Sequence, residues 1–219
     1  MNWYISLAMR WMDLDGSDVV AFHQFCDDEA LPDHQERMPF DSRHCTLFAF
    51  AKFEEGVGPY KDPERGARLL FEQFKSARFP TLLNDLKRFS IRPTYRNDNR
   101  DSSTTVQFEA LQPGRLETLR EQTQKSFEIF LTQNLWGLVN GFTCEYPFWD
   151  DQKNQGSLLW GSLGRPSGPV EDVTEEKTPL TKFARSEFEV SKLILTVSND
   201  SLTNSLTRGD NYVEIPLGK

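Results

Sequence analysis

Apolar positions along this chain fall into short runs whose spacing alternates between strand and helix periods. Trp3 to Met9 is an aromatic and aliphatic run of strand type, followed by the turn-prone stretch 13–18. Asp18 or Ser17 then predicts the cap of a helix through Val19, Val20, Phe22 and Phe25. Asp27 to Arg43 is acidic, polar and proline-containing and reads as a loop. Cys45 to Phe53, nearly apolar throughout, predicts a strand buried on both faces. From Pro63 onward Leu69, Leu70, Phe74 and Ala77 recur at spacings near three and four, forming one helical stripe that Leu82, Leu83 and Leu86 extend beyond a break at Pro80.

Phe89-Ser90-Ile91 and Thr104 to Leu111 predict two strands joined by the polar connection 97–103. Arg115 to Gln133 predicts a second amphipathic helix carrying Leu116, Leu119, Phe127, Phe130 and Leu131, interrupted in its middle turn by Gln122 and Thr123. Residues 137–180 are rich in Gly, Pro, aromatic and acidic residues and read as a long loop region, with strand character only at Ser157-Leu158-Leu159-Trp160. Phe188 to Val197 alternates into a strong strand, and Tyr212 to Ile215 forms a short terminal one. This order of elements predicts an α+β fold rather than a doubly wound sheet. At 219 residues the chain fits a single bilobal domain spanning 1–219.

Composition narrows the function classes. Hydrophobic residues make up 37% and aromatics 12%, enough for a folded core. A net charge of -8 and a pI near 5.0 argue against broad electrostatic capture of nucleic acid, which needs a basic surface, and leave room only for a local basic pocket. Cys26, Cys45 and Cys144 have no metal-like spacing and read as reduced thiols. The N-terminal residues lack a basic region followed by a long apolar stretch, so a soluble, cytoplasmic protein with no membrane partner is expected. There is no P-loop, no dinucleotide fingerprint and no nucleophile elbow at Gly161 to Gly164. The carboxylate clusters Asp27-Asp28-Glu29 and Asp150-Asp151 read as solvated acidic loops, and no metal site is expected.

The candidate chemistry lies in two short segments. His44-Cys45-Thr46 opens the apolar run at Leu47, and one intervening residue places His44 and Thr46 on the same strand face, where both could grip one phosphate. Downstream, Trp160-Gly161-Ser162-Leu163-Gly164-Arg165 is an altered echo of that segment. Arg43 and Arg165 flank the two segments, and an arginine there can contact phosphate through paired hydrogen bonds. Each residue also has a plain structural reading: His44 as a strand-edge histidine, Trp160 as a packing residue instead of a base-stacking platform, and the arginines as solvated side chains. No histidine follows residue 44, and His23 reads as a partly buried helix residue.

These segments resemble the motifs of the 2H phosphoesterases, the LigT-like or cyclic phosphodiesterase superfamily. Arg43-His44-Cys45-Thr46-Leu47 is similar to that family's first His-x-Thr motif, and Ser162-Leu163-Gly164-Arg165 to the tail of its second, with Trp160 in the histidine position. The segment 189–198 and Tyr212 resemble its last strands. The resemblance implies two pseudo-symmetric lobes with antiparallel sheets around a central cleft. It also implies a metal-independent and cofactor-free site in which His44 is catalytic, Thr46, Ser162 and Arg165 bind phosphate, and Trp160 stacks on a base or packs. Two imidazoles would share the acid and base work of opening a 2′,3′-cyclic phosphate. Trp160 can do neither, so the implied protein binds a cyclic phosphate, a cyclic nucleotide or an RNA end with impaired catalysis. The alternatives are a non-enzymatic protein-interaction scaffold that uses the aromatic-rich stretch Trp136 to Trp160, or an active metal-independent phosphodiesterase with a replacement acid from His34 or Asp150.

Overall fold

The computed structural model describes residues 2–33, 35–54, 62–99, 103–134, 144–145, 158–167, 176–199 and 209–218. Strand β1 (Trp3–Arg10) buries Ile5, Leu7 and Met9 in the main core and turns Ser6, Ala8 and Arg10 to the opposite face. A 3-10 turn at Trp11–Asp13 and the short β2 (Leu14–Asp15) lead into helix α1 (Val19–Asp28). Asp18 stands at the N-cap position, but its carboxylate accepts from Ser186 Oγ at 2.6 Å and from no helix amide, which corrects the expected side-chain cap. The stretch read as a loop is also corrected. α1 continues to Asp28, β3 (Gln35–Arg37) follows, and Phe40–Ser42 forms a second 3-10 turn.

Strand β4 (His44–Phe53) is continuously buried only from Leu47 to Ala51, since His44 and Thr46 are half-buried on either side of buried Cys45 and Lys52 is half-buried near the far end. Its pairing with β1 skips Leu47 and Phe50, and these two bulges let consecutive apolar residues all find cover. Asp62 Oδ1 accepts from the Arg65 amide to cap α2 (Pro63–Ser76), which buries Ala67, Leu70, Phe71 and Phe74 and leaves Leu69 exposed. The break after α2 falls at Arg78, whose φ of 57° is left-handed, and Pro80 instead sits in the first turn of α3 (Phe79–Leu82), where its missing N–H costs nothing.

β5 (Phe89–Asn99) and β6 (Ser103–Ala110) form a long hairpin, so Asn97, Asp98 and Asn99 belong to a strand, not to the expected connection. Asp98 is at home there because its carboxylate accepts from Thr104 Oγ1 at 2.7 Å and pairs with Arg96. Helix α4 (Arg115–Asn134) runs unbroken through Thr123, whose hydroxyl donates to the Leu119 carbonyl. The described parts of the predicted loop region hold strands: β7 (Cys144–Glu145), β8 (Leu158–Ser162), β9 (Gly164–Pro166) and β10 (Glu176–Pro179). The expected strand from Phe188 is two, β11 (Phe188–Val190) and β12 (Lys192–Asn199), before β13 (Tyr212–Pro216).

Among the described residues the main sheet runs β13-β12-β1-β4-β8-β6-β5-β11-β2, antiparallel throughout, with β10 added to β5 and β7 to β4, while β3 pairs separately with β9. This is the expected α+β class with antiparallel sheets. Ser191 divides β11 from β12 because the chain leaves the β5 side of the sheet there and joins β1 on the other side. The two sides meet at the pairing of β4 with β8. Helices cover one face, with Phe50, Phe74, Phe79, Phe127 and Phe130 in mutual ring contact on one side and Trp11, Phe22, Phe108 and Phe188 on the other. The opposite face carries small and polar residues, where Ala8 and Ile194 pack with Tyr212 apart from the main core. No described helix is long and apolar enough to cross a membrane.

Candidate functional site

The two sequence segments meet where β4 pairs with β8, Cys45 lying opposite Gly161. Both residues of that pair point into the core. Trp11 Nε1 donates to Cys45 Sγ at 3.4 Å, and a Cβ on Gly161 would stand 2.6 Å from the Trp11 ring, so only glycine fits. Strand alternation then turns His44, Thr46, Trp160 and Ser162 to the open face, and counting outward from the central pair sets His44 across from Ser162 and Thr46 across from Trp160. On the far side of β8, Thr105 neighbours Ser162 and Gln107 neighbours Trp160. On the far side of β4, Arg10 lies beside His44.

His44 is oriented by its own turn. Its Nδ1 lies 2.9 Å from the Ser42 carbonyl, which can only accept, so Nδ1 carries a proton and Nε2 of the neutral ring holds a lone pair. Burial holds the imidazole below its usual pKa, and the nearby Arg165 guanidinium pushes in the same direction against the Ser42 hydrogen bond. Neutral His44 is thereby suited to accept a proton. Arg165, half-buried on β9 opposite Glu36, is thus brought to the site, and Trp160 keeps 38% of its surface exposed beside it.

Arg43 is not part of this face. It is 1% exposed, and its Nε donates to the Met38 carbonyl while Nη2 pairs with Asp27 at 2.6 Å, because strand parity directs it inward with Cys45. His23 is half-buried against Phe22 and Phe40, held below its usual pKa by burial and then by Arg43. The first acidic cluster is occupied: Asp27 by Arg43, Asp28 by Gln24 and Glu29 by Arg96. Among the described residues no group of three metal-ligating side chains occurs. Cys26 and Cys45 are free thiols pushed up to about 12 by burial, and so are protonated and unreactive. His34, Trp136, Asp150, Asp151 and the Cys144 side chain lie outside the described residues.

Two supporting arginines escaped the sequence reading. Arg120 of α4 is 3% exposed; its Nε donates to the carbonyl of Leu47, the residue skipped by the bulge, and its Nη2 to that of Leu158 at 3.1 Å, tying β4 to β8 beneath the site. Its spacing of four from Leu116 was the available signal that it shares the buried stripe. Arg10 donates to Asp13 at 2.6 Å and Glu214 at 3.0 Å and lies over the Tyr212 ring, which fixes the flank beside His44.

No protein-family model matches the chain, and no curated protein matches it. Among solved structures it is similar to TT0787 of Thermus thermophilus, at 16% identity and a TM-score of 0.48 over 98% of this chain and 95% of that one. It is also similar to E. coli LigT complexed with 3′-AMP, at 13% identity and a TM-score of 0.44 over 100% and 96% of the two chains. Against E. coli LigT in apo form the identity is 15% and the TM-score 0.38, over 99% and 95%.

Proposed function

We propose that the open face around the Cys45–Gly161 pair binds a phosphodiester, a 2′,3′-cyclic phosphate nucleotide or an RNA end carrying one, and turns it over slowly. The observation that carries this reading is the convergence of His44, Thr46, Ser162 and Trp160 on one face, with His44 Nε2 left as the acceptor. In the proposed reaction Nε2 takes the proton of an attacking water, and the Thr46 and Ser162 hydroxyls donate to the non-bridging phosphate oxygens as charge builds on them. Arg165 adds a positive charge at the same end of the site. The departing oxygen needs a proton, and the indole N–H of Trp160 does not ionise in the range where it could supply one. Bulk water serves instead, at the loss of about 10²- to 10⁴-fold that a positioned acid typically contributes.

Titration calorimetry with adenosine 2′,3′-cyclic phosphate tests this reading on the wild type and on a Thr46→Ala/Ser162→Ala double variant. Each hydroxyl donating to a charged oxygen is worth about 10-fold in affinity, so the double variant is expected to bind about 100-fold more weakly. Equal affinities, or no binding of any cyclic-phosphate ligand by the wild type, would overturn it.

A further inference from the structure

Beside Trp160 on the open face stands Gln107, 5% exposed, and its side chain is only half satisfied. The hydroxyl of Thr94 donates its single proton to the Gln107 backbone carbonyl at 3.2 Å, so toward the Gln107 amide that hydroxyl can only accept. It accepts from Nε2 at 3.1 Å, which fixes the orientation of the amide and directs Oε1 away from Thr94. Among the described residues Oε1 is buried with no hydrogen-bond partner. A buried acceptor left unpaired is destabilising, and this one, one strand from Ser162 and two from Thr46, calls for a donor that the described residues do not supply.

The neighbours of Gln107 on the same face define what that donor is attached to. Trp160 flanks it on β8 and Tyr95 on β5, two aromatic side chains two strands apart, about 9.6 Å at ordinary strand spacing. Lys177 Nζ sits 4.3 Å above the Tyr95 ring and holds that side of the row. A planar heterocycle seated against Trp160 directs one edge at Gln107, and the acceptor Oε1 pairs with an edge that offers N–H and rejects one that offers C=O.

We infer that Gln107 and Trp160 form a base-reading subsite selecting a nucleotide whose base turns an N–H toward Gln107, as the exocyclic amino group of adenine does, over one that lacks a donor there. The inference rests on the phosphodiester reading of the same face, because the phosphate on Thr46 and Ser162 is what delivers the base to Trp160. It assigns Gln107 as a specificity-determining residue and Trp160 as the platform on which the base lies.

The test compares the affinity of the wild-type protein for adenosine 2′,3′-cyclic phosphate and for purine riboside 2′,3′-cyclic phosphate, which lacks only the amino group. The expected result is an advantage of about 10-fold for adenosine, the worth of one recovered hydrogen bond. In Gln107→Met, which keeps the side-chain shape and removes the acceptor, the two ligands should bind equally and as weakly as purine riboside binds the wild type. Equal, measurable affinities of the wild type for both ligands would overturn the base-reading assignment, leave phosphate binding intact, and mark Oε1 as the partner of an ordered water. A Gln107→Met protein that keeps the full preference would overturn it as well. Failure of both ligands to bind the wild type would remove the phosphodiester reading itself.

Discussion

Replacing Gly161 with alanine tests the register that builds the site. The added Cβ would lie 2.6, 2.7 and 2.8 Å from three atoms of the Trp11 indole, nearer than nonbonded carbon atoms approach. Trp11 cannot give way. It is fully buried, packs on Phe22 and Phe108 at centroid distances of 5.6 and 5.4 Å, and donates to Cys45 Sγ. The strain therefore falls on the backbone of β8, and overpacking of this kind costs about 1–3 kcal/mol. In a domain of this size each kcal/mol lowers Tm by about 2–4 °C, so a drop of about 2–12 °C is expected by scanning calorimetry. Because Trp160 and Ser162 ride on the displaced strand, affinity for adenosine 2′,3′-cyclic phosphate should fall by at least about 10-fold. Gly209→Ala, where an added Cβ meets nothing within 4 Å among the described residues, serves as the control and should stay within about 0.5 kcal/mol of the wild type. An unchanged Tm and affinity in Gly161→Ala would refute the Cys45–Gly161 pairing and the site built on it.

Arg120→Met removes two charge-assisted hydrogen bonds that join β4 to β8, and denaturant unfolding should show a loss of about 2–4 kcal/mol. Arg165→Met takes away a cation that lowers the His44 pKa, so an NMR titration of the imidazole should show that pKa rising, and a fall would contradict the placement of Arg165. His44 and His23 both have folded-state pKa values below the unfolded value near 6.5, so the unfolded chain binds more protons once the pH drops beneath it. Stability should therefore be level above about pH 6.5 and decline as the pH falls from there toward the lowered folded values, with a shallower decline in His23→Gln, as read by urea unfolding across that window. Cys26 and Cys45 should resist alkylation in the native protein near pH 8 and react only on unfolding, which peptide mass spectrometry reads directly.

The legible part of this fold was whatever depended on local spacing. β1, β4, α2 and α4 announced themselves through apolar runs and stripes, and the single-residue gap between His44 and Thr46 already put both on one strand face. The rest depended on partners far away in the chain. Asp98 extends β5 because Thr104 faces it across the hairpin, and Asp18 turns from its helix because Ser186 is there to donate. Ser191 breaks a run that is continuous in its apolar pattern, because the two halves pair with β5 and β1 on opposite sides of the sheet. At the site, Arg43 was as eligible by sequence as Arg165, yet parity sends Arg43 into the core with Cys45 while β9 carries Arg165 to His44. Arg120 and Gln107 gave no motif, since their roles arise only when β4, β8 and β6 lie side by side.

The central claim is that this face is a phosphodiester site lacking its second imidazole, and Trp160→His measures it most directly. The initial rate of opening of a 2′,3′-cyclic nucleotide should rise by about 10²-fold or more in that variant, the contribution of a restored general acid, and the gain should vanish in His44→Ala/Trp160→His. A Trp160→His protein that binds the ligand yet turns it over no faster than the wild type, or one whose turnover survives the loss of His44, would contradict the account.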